Sequence, residues 1–211
     1  MDIKALFQLS YGLYLLESEA DRRGGCIVNT LCQVANEPPL LTVAVNKSNY
    51  TAELIDQSGR FQAHVLTERA PMELIARFGF QSGRDVDKFD GLTLDADIVS
   101  ASLACEILGR QDAVTHWVYL AKLVDARIIS DQPPMTYAYY HQVKRGVTPK
   151  NAATYQAPSE AEFGWRCTVC GHVEKVETLP EGYRCPICKQ PASVFVKLGV
   201  PADTAAEKPQ K

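Results

Sequence analysis

The sequence predicts a mainly β fold, a β-barrel with a few helices, followed by a small four-cysteine metal unit. Three observations predict it. Short runs of β-branched and aromatic residues, broken by turn residues, fill the chain to about residue 153. Only two stretches between them carry clear helix start and stop signals. Beyond them stand two Cys-x-x-Cys pairs, Cys167 with Cys170 and Cys185 with Cys188. Many strands and few helices favour a barrel or sandwich over a parallel sheet.

Taken in order, "GLYLLES" (12–18), "CIVNTLCQVA" (26–35), "LLTVAVN" (40–46) and "GRFQAHVLTE" (59–68) read as strands. In "RFQAHVL", Phe61, Ala63 and Val65 share one face. "NYTAELIDQSG" reads as a helix, with Asn before its amphipathic turn and Gly at its end. "APMELIARFGF" is a second helix with Pro near its first turn. "SLACEILGRQ" and "HWVYLAKLVDARII" read as two further long strands. The expected organisation is a domain over 1–154, a linker over 155–162, a metal unit over 163–200 and a disordered tail over 201–211. At roughly 3.3 Å per residue the linker reaches about 25 Å.

Composition excludes several classes. The 211 residues are 46% hydrophobic and 22% charged, which suits one medium globular domain plus a small one. A net charge of −3 points neither to nucleic acid nor to an anionic membrane surface. No apolar run approaches bilayer length. The start, "MDIKALFQLS", has no basic segment followed by an apolar one, so no secretory leader is expected and the expected location is cytoplasmic. In that compartment seven cysteines read as metal or redox chemistry rather than a disulfide framework.

Each Cys-x-x-Cys turn points two sulfurs at one place. Two such turns facing each other build a tetrahedral cage of Cys167, Cys170, Cys185 and Cys188 that suits zinc or iron, and the ligands alone leave both open. The surroundings, "WRCTVCGH" and "LPEGYRCPICK…SVFVKL", resemble rubredoxin. The resemblance implies that the four cysteines hold one iron and that Trp165, Tyr183 and Phe195 form a small aromatic core. Three departures stand out. The segment between the pairs is short, Lys189 stands where the second turn usually has Gly, and His172 stands where Tyr is common. The unit is also not acidic: Arg166, Lys175, Arg184, Lys189 and Lys197 face Glu174, Glu177 and Glu181. Cations near the cage favour the reduced cluster and raise its potential.

In the larger domain, "NKSNYT" places Lys47 and several hydroxyls and amides before a helix start. "FGFQSGRDVDKFDG" adds Arg84 and Lys88 among turn glycines. Read from the residues, these stretches form either a phosphate-type anion site or a capped helix and a solvated turn. Together with "NTLCQV" they resemble the flavin-reductase-like, FMN-binding split barrel in its flavoredoxin branch, over residues 1 to about 154. The resemblance implies that Asn29, Thr30 and Gln33 line the isoalloxazine edge. It implies that Asn46, Lys47, Ser48, Asn49, Tyr50 and Thr51 surround the ribityl chain and phosphate, and that Ser82, Gly83, Arg84 and Lys88 close the other side. It further implies a homodimer with FMN near the subunit interface, and a C-terminal segment, "TYAYYHQVKRGVTPKNAATY", that wraps the barrel.

His116 matches a family histidine near the nicotinamide path and is the catalytic candidate, although Thr115 and Ala121 replace that motif's Asp and Gly. A strand-end histidine with a backbone partner is the other possibility. His64 stands where a flavin contact is possible, and His141 is expected at the surface. Cys26, Cys32 and Cys105 lack metal spacing and are expected as small buried hydrophobes, with Cys32 nearest the flavin strand.

The fusion suggests a relay. A nicotinamide donor delivers two electrons, a Cys₄ iron accepts one, and a flavin bridges the mismatch. The whole chain resembles the high-molecular-weight rubredoxins, which combine an NAD(P)H:rubredoxin oxidoreductase module with its rubredoxin. That resemblance implies electron flow from NAD(P)H through FMN to iron and on to an acceptor such as a flavodiiron oxygen or nitric oxide reductase. Two other functions stay open: a flavin reductase supplying reduced flavin, and a non-enzymatic flavin- and zinc-binding sensor or adaptor.

Overall fold

The computed structural model describes residues 1–144, 146–149, 152–154, 163–167 and 172–198. Cys170, the expected linker 155–162 and the expected tail 201–211 lie outside them. After a 3₁₀ turn at Ile3–Gln8 come β1 (Tyr14–Glu19), β2 (Arg23–Val28), β3 (Cys32–Asn36) and β4 (Pro39–Asn46). Next are α1 (Tyr50–Ser58), β5 (Arg60–Leu66) and α2 (Met72–Phe80). The long hairpin of β6 (Val99–Ala113) and β7 (His116–Ile128) leads to α3 (Tyr137–Gln142).

These strands make one antiparallel sheet in the order β2-β1-β5-β6-β7-β4-β3. The sheet curls until its ends share a core. Leu16, Cys26 and Val28 from one end pack in the same cluster as Val43, Val45, Tyr119 and Ala121 from the other. Thr30 stitches the ends together: its hydroxyl accepts from the Ala44 N–H at 3.0 Å and donates to the Ala44 carbonyl at 3.2 Å. The expected strand over 26–35 is therefore two strands, β2 and β3, broken at this stitch.

Alternation decides which side chains fill the barrel. Leu41, Val43 and Val45 of β4 point inward. On β5, Phe61 and Ala63 do so as expected. At the register shift against β6 between Val65 and Leu66 the inward row ends: Val65 is half-buried, and Leu66 is buried on the opposite side, in the cluster outside the barrel. β1 is buried on both faces, because Leu16 enters the barrel while Leu15 packs outside it with Leu74, Ile75, Phe78 and Met135.

α1 has the predicted caps. The Asn49 side chain accepts from the Thr51 N–H, and Gly59 ends the helix at φ 68°, donating to the Ile55 carbonyl at 2.9 Å. An L side chain at that φ would cost roughly 1–2 kcal/mol. α2 starts directly after Pro71.

The cysteine unit is a three-stranded sheet, β10-β8-β9, made of β8 (Trp165–Cys167), β9 (Val173–Glu174) and β10 (Phe195–Lys197). Cys167, Cys185, Ile187 and Phe195 form its core, with Trp165 and Tyr183 against them. The Tyr183 and Phe195 rings meet edge to face at 5.4 Å. Among the described residues, no helix is long and apolar enough to cross a membrane.

Candidate functional site

A cavity opens between the barrel, α2 and the segment after α3. Its open space, mouth and adjoining solvent included, is about 680 Å³. Leu13, Val28, Val45, Ile75, Phe78 and Phe80 give it apolar walls. Asn29, Asn46, Asn49 and His116 bring polar edges. Tyr137, Tyr140, Val147, Pro149, Ala152 and Ala153 complete the lining from the segment that follows the barrel. Apolar walls with a few amides among them suit a heteroaromatic ring that has polar edges.

The strands explain why these residues converge. Asn46 and His116 are register partners at the ends of β4 and β7. Asn49 lies three residues on, at the cap of α1, where its side chain is already occupied by the Thr51 N–H. The Asn29 amide donates to Thr154 Oγ1 at 3.0 Å, tying the end of β2 to the wrapping segment. Tyr137 reaches the same Thr154 hydroxyl at 3.1 Å and Thr148 Oγ1 at 2.5 Å. Tyr140 donates to the Val147 carbonyl at 2.8 Å. Gly146 is needed there, since a Cβ would come within 2.1 Å of the Tyr140 ring.

The other expected flavin residues are distributed differently. Thr30 is the barrel stitch, and Gln33 lies exposed on β3 with its amide on the Ala35 carbonyl. Lys47 pairs with Asp112 at 2.6 Å above the Trp117 ring. Ser48 donates to Asn46 Oδ1 through both its N–H and its hydroxyl. Thr51 is on the buried face of α1. Tyr50 carries two guanidinium groups against its ring, Arg22 at 5.5 Å and Arg84 at 5.4 Å. Arg22 donates to the Gly83 carbonyl, and Arg84 bonds the Ser48 carbonyl and Glu53. Ser82 turns the chain into this corner by accepting from the Arg84 N–H. Arg22 carries no motif signal in the sequence, and only the fold brings it beside Arg84.

Lys88 is a strut. It is 3% exposed, and its ammonium donates to the Gly25 and Phe78 carbonyls at 3.0 and 3.2 Å. Burial pushes its pKa below the ordinary lysine range. Together with Phe89 against Phe78, it makes "RDVDKFDG" an ordered loop.

Among the histidines, His116 is buried at the cavity with Nδ1 2.8 Å from Thr115 Oγ1. His64 is buried elsewhere, between Ser102 Oγ at 2.8 Å and Glu17 Oε2 at 3.1 Å. Burial raises the Glu17 carboxyl, but the bonds from His64 and Arg23 outweigh it and hold the group below its usual range. His141, expected at the surface, is half-buried. It is wedged between the Tyr137 and Tyr140 rings, with Nδ1 2.8 Å from the Gly146 carbonyl, and burial lowers its pKa. Cys26 and Cys105 are buried; burial raises both thiols, Cys105 to about 11. Cys32, by contrast, is exposed, because β3 is a sheet edge. The cavity thiol is Cys26.

At the second site, the sulfurs of Cys167, Cys185 and Cys188 lie within 4.8 Å of one another, and Cys167 and Cys188 are 3.6 Å apart. Metal–sulfur bonds of about 2.3 Å in a tetrahedron give an edge of about 3.8 Å, so the cluster fits a thiolate-bound ion. Each turn is closed by the backbone: Cys167 donates to the His172 carbonyl and Cys185 to the Gln190 carbonyl, both at 2.8 Å. Lys189 holds φ 60° at the second turn.

Residues 6–148 match the flavin reductase like domain, and residues 165–196 match the rubrerythrin, rubredoxin-like domain. A high molecular weight rubredoxin of Moorella thermoacetica is 37% identical over 94% of this chain and 100% of its own length. A ferric-chelate reductase (NAD(P)H) of Archaeoglobus fulgidus is 36% identical over 74% of this chain and 98% of its own. Among solved structures, the styrene monooxygenase flavin reductase of Pseudomonas putida S12 superposes with a TM-score of 0.55 at 21% identity, covering 63% of this chain and 89% of that one.

Proposed function

The chain belongs to the high molecular weight rubredoxin family, a flavin reductase like domain followed by a rubredoxin-like domain, and from that premise we propose that it passes electrons from NAD(P)H through FMN to its Cys₄ iron and on to an external acceptor. It is an oxidoreductase, and its cofactors are FMN and iron. One observation carries the proposal: an apolar cavity with polar edges and a cluster of three cysteine sulfurs are built into one chain. Bound flavin exchanges two electrons with a nicotinamide and passes them on singly, which matches a one-electron iron.

The chain's own residues have distinct tasks. Val28, Val45, Ile75 and Phe78 shield the faces of the ring from water. Asn29, Asn46 and Asn49 hold its polar edge and the ribityl chain. Arg84, joined by Arg22 over Tyr50 and with Ser48 and Ser82 next to it, would hold the FMN phosphate. His116 is the side chain that meets the nicotinamide. Cys167, Cys185 and Cys188, with Cys170, hold the iron. Exposed Leu108, Leu120 and Val124 on the β6–β7 hairpin support a homodimer through this outer face. A flavodiiron oxygen or nitric oxide reductase is the proposed acceptor. The name of the Archaeoglobus relative supports NAD(P)H as donor and ferric iron as a fitting acceptor for this barrel.

Protein from iron-replete cells should carry one FMN and one iron per chain in a dimer. Mixed anaerobically with NAD(P)H, it should lose flavin colour first and the red of ferric iron afterwards. Flavin-free protein should keep its iron oxidised over the same period. Stoichiometric zinc, or iron reduced equally fast without flavin, would overturn the relay.

A further inference from the structure

The two sites share a wall. Phe80 and Val147 line the cavity, and the same two side chains pack with Met72 against the core that holds Cys167 and Cys185. Phe80 ends α2, and Glu73, seven residues earlier, lies on the same stripe about 10 Å away along the axis. There Glu73 meets the Lys189 ammonium at 3.0 Å. An apolar wedge at one end of the stripe and an ion pair at the other resist both sliding and rotation of a docked unit.

Lys189 supplies a second, independent observation. It stands in left-handed backbone at φ 60°, next to the ligand Cys188. Glycine takes that conformation freely, and a residue with a Cβ does not. A lysine there needs a use for its side chain, and that side chain spans from the cysteine turn to α2. Glu73 is tuned toward its charged form: its own backbone N–H and the Lys189 ammonium both lower its carboxyl pKa.

We propose that the rubredoxin-like unit has a built seat on α2 of its own chain, with Lys189–Glu73 as its clasp and Phe80 and Val147 as the partition between flavin cavity and cysteine cluster. The seat rests on the proposed relay and gives it a route: electrons cross a partition of two side chains. Both members of the clasp are more than half exposed, at 57% and 58%. It is therefore weak and screened by salt, which suits a unit that must also release to meet an external acceptor. A short tether keeps the local concentration of the unit high enough for a weak clasp to act.

The test uses the holoprotein and two readouts. A carbodiimide should join Glu73 to Lys189 without a spacer. With isotope-labelled and unlabelled chains assembled separately and then mixed into dimers, the cross-linked peptides should carry one label or the other, never both. Glu73→Gln should abolish the product. In anaerobic stopped-flow at low salt, Lys189→Gly should slow iron reduction about two- to five-fold and leave flavin reduction unchanged. Added salt should bring the natural protein down to the variant's rate. The glycine suits the backbone, so the iron unit keeps its fold in this variant. No cross-link, cross-linked peptides that carry both labels, or an unchanged iron rate in Lys189→Gly would overturn the seat. Iron that stays oxidised in the natural protein while the single-label cross-link forms would overturn the relay and leave the seat standing.

Discussion

The barrel and the cysteine unit build their sites by opposite routes. The cavity draws Leu13, Asn29, Asn46, Phe78, His116, Tyr140 and Ala153 from most of the length of the larger domain. It exists only once the sheet has curled and the segment after α3 has closed over it. The thiol cluster draws on two turns, each closed by its own backbone hydrogen bonds. A local site of this kind can be lost without disturbing its neighbour. A site assembled from distant segments is instead sensitive to packing changes far from any ligand.

The largest effect should come from Cys185→Ser. It removes a fully buried ligand, so the variant should lose the red chromophore and its stoichiometric iron. Flavin content and flavin reduction by NAD(P)H should stay near those of the natural protein. If both sites fail together, the contrast between local and distributed sites is wrong. Lys88→Met tests the opposite side. It strands the Gly25 and Phe78 carbonyls in the packing beneath α2, and should lower barrel stability by roughly 3 kcal/mol, read by denaturant unfolding. The iron unit should keep its spectrum.

Arg84→Ala sharpens the comparison further. The guanidinium is exposed and ion-paired, so folding stability should fall by no more than about 1 kcal/mol. FMN should loosen by roughly 1.5–3 kcal/mol, the value of a charge-assisted contact, measured by flavin retention against dilution. Unchanged retention would make the Arg22–Tyr50–Arg84 corner a purely structural feature. The smallest effect concerns His141. Its folded pKa lies below the ordinary value, so over that interval the unfolded chain binds more protons than the folded one. Stability then rises with pH through the interval and is lost as pH falls through the folded pKa. Below about pH 6.5, barrel Tm should drop more in the natural protein than in His141→Gln, while the iron spectrum stays constant.

Much of this molecule was legible in the sequence because the relevant forces act over a few residues. The ends of α1 follow from Asn49 and Gly59, since a cap is a contact between near neighbours. The inward faces of β4 and early β5 follow from period-two alternation, until a register shift against β6 leaves Val65 half-buried and Leu66 in the outer cluster. The Cys-x-x-Cys spacing describes its site outright, because each turn aims its own sulfurs.

Tertiary structure decided what the remaining motif residues do. Lys88 has the same sequence signature whether it meets a phosphate or a carbonyl, and the partner that settles it, Gly25, lies 63 residues back in the chain. His64 and His116 both sit on strands, yet the sheet turns one toward Glu17 and the other into the cavity. Arg22 joins Arg84 only because β2 passes beside the loop after α2. The aromatic lining from Tyr137 and Tyr140 has no spacing of its own to announce it. Burial is a property of how distant segments meet, and it determines whether a charge is a ligand, a strut or a clasp.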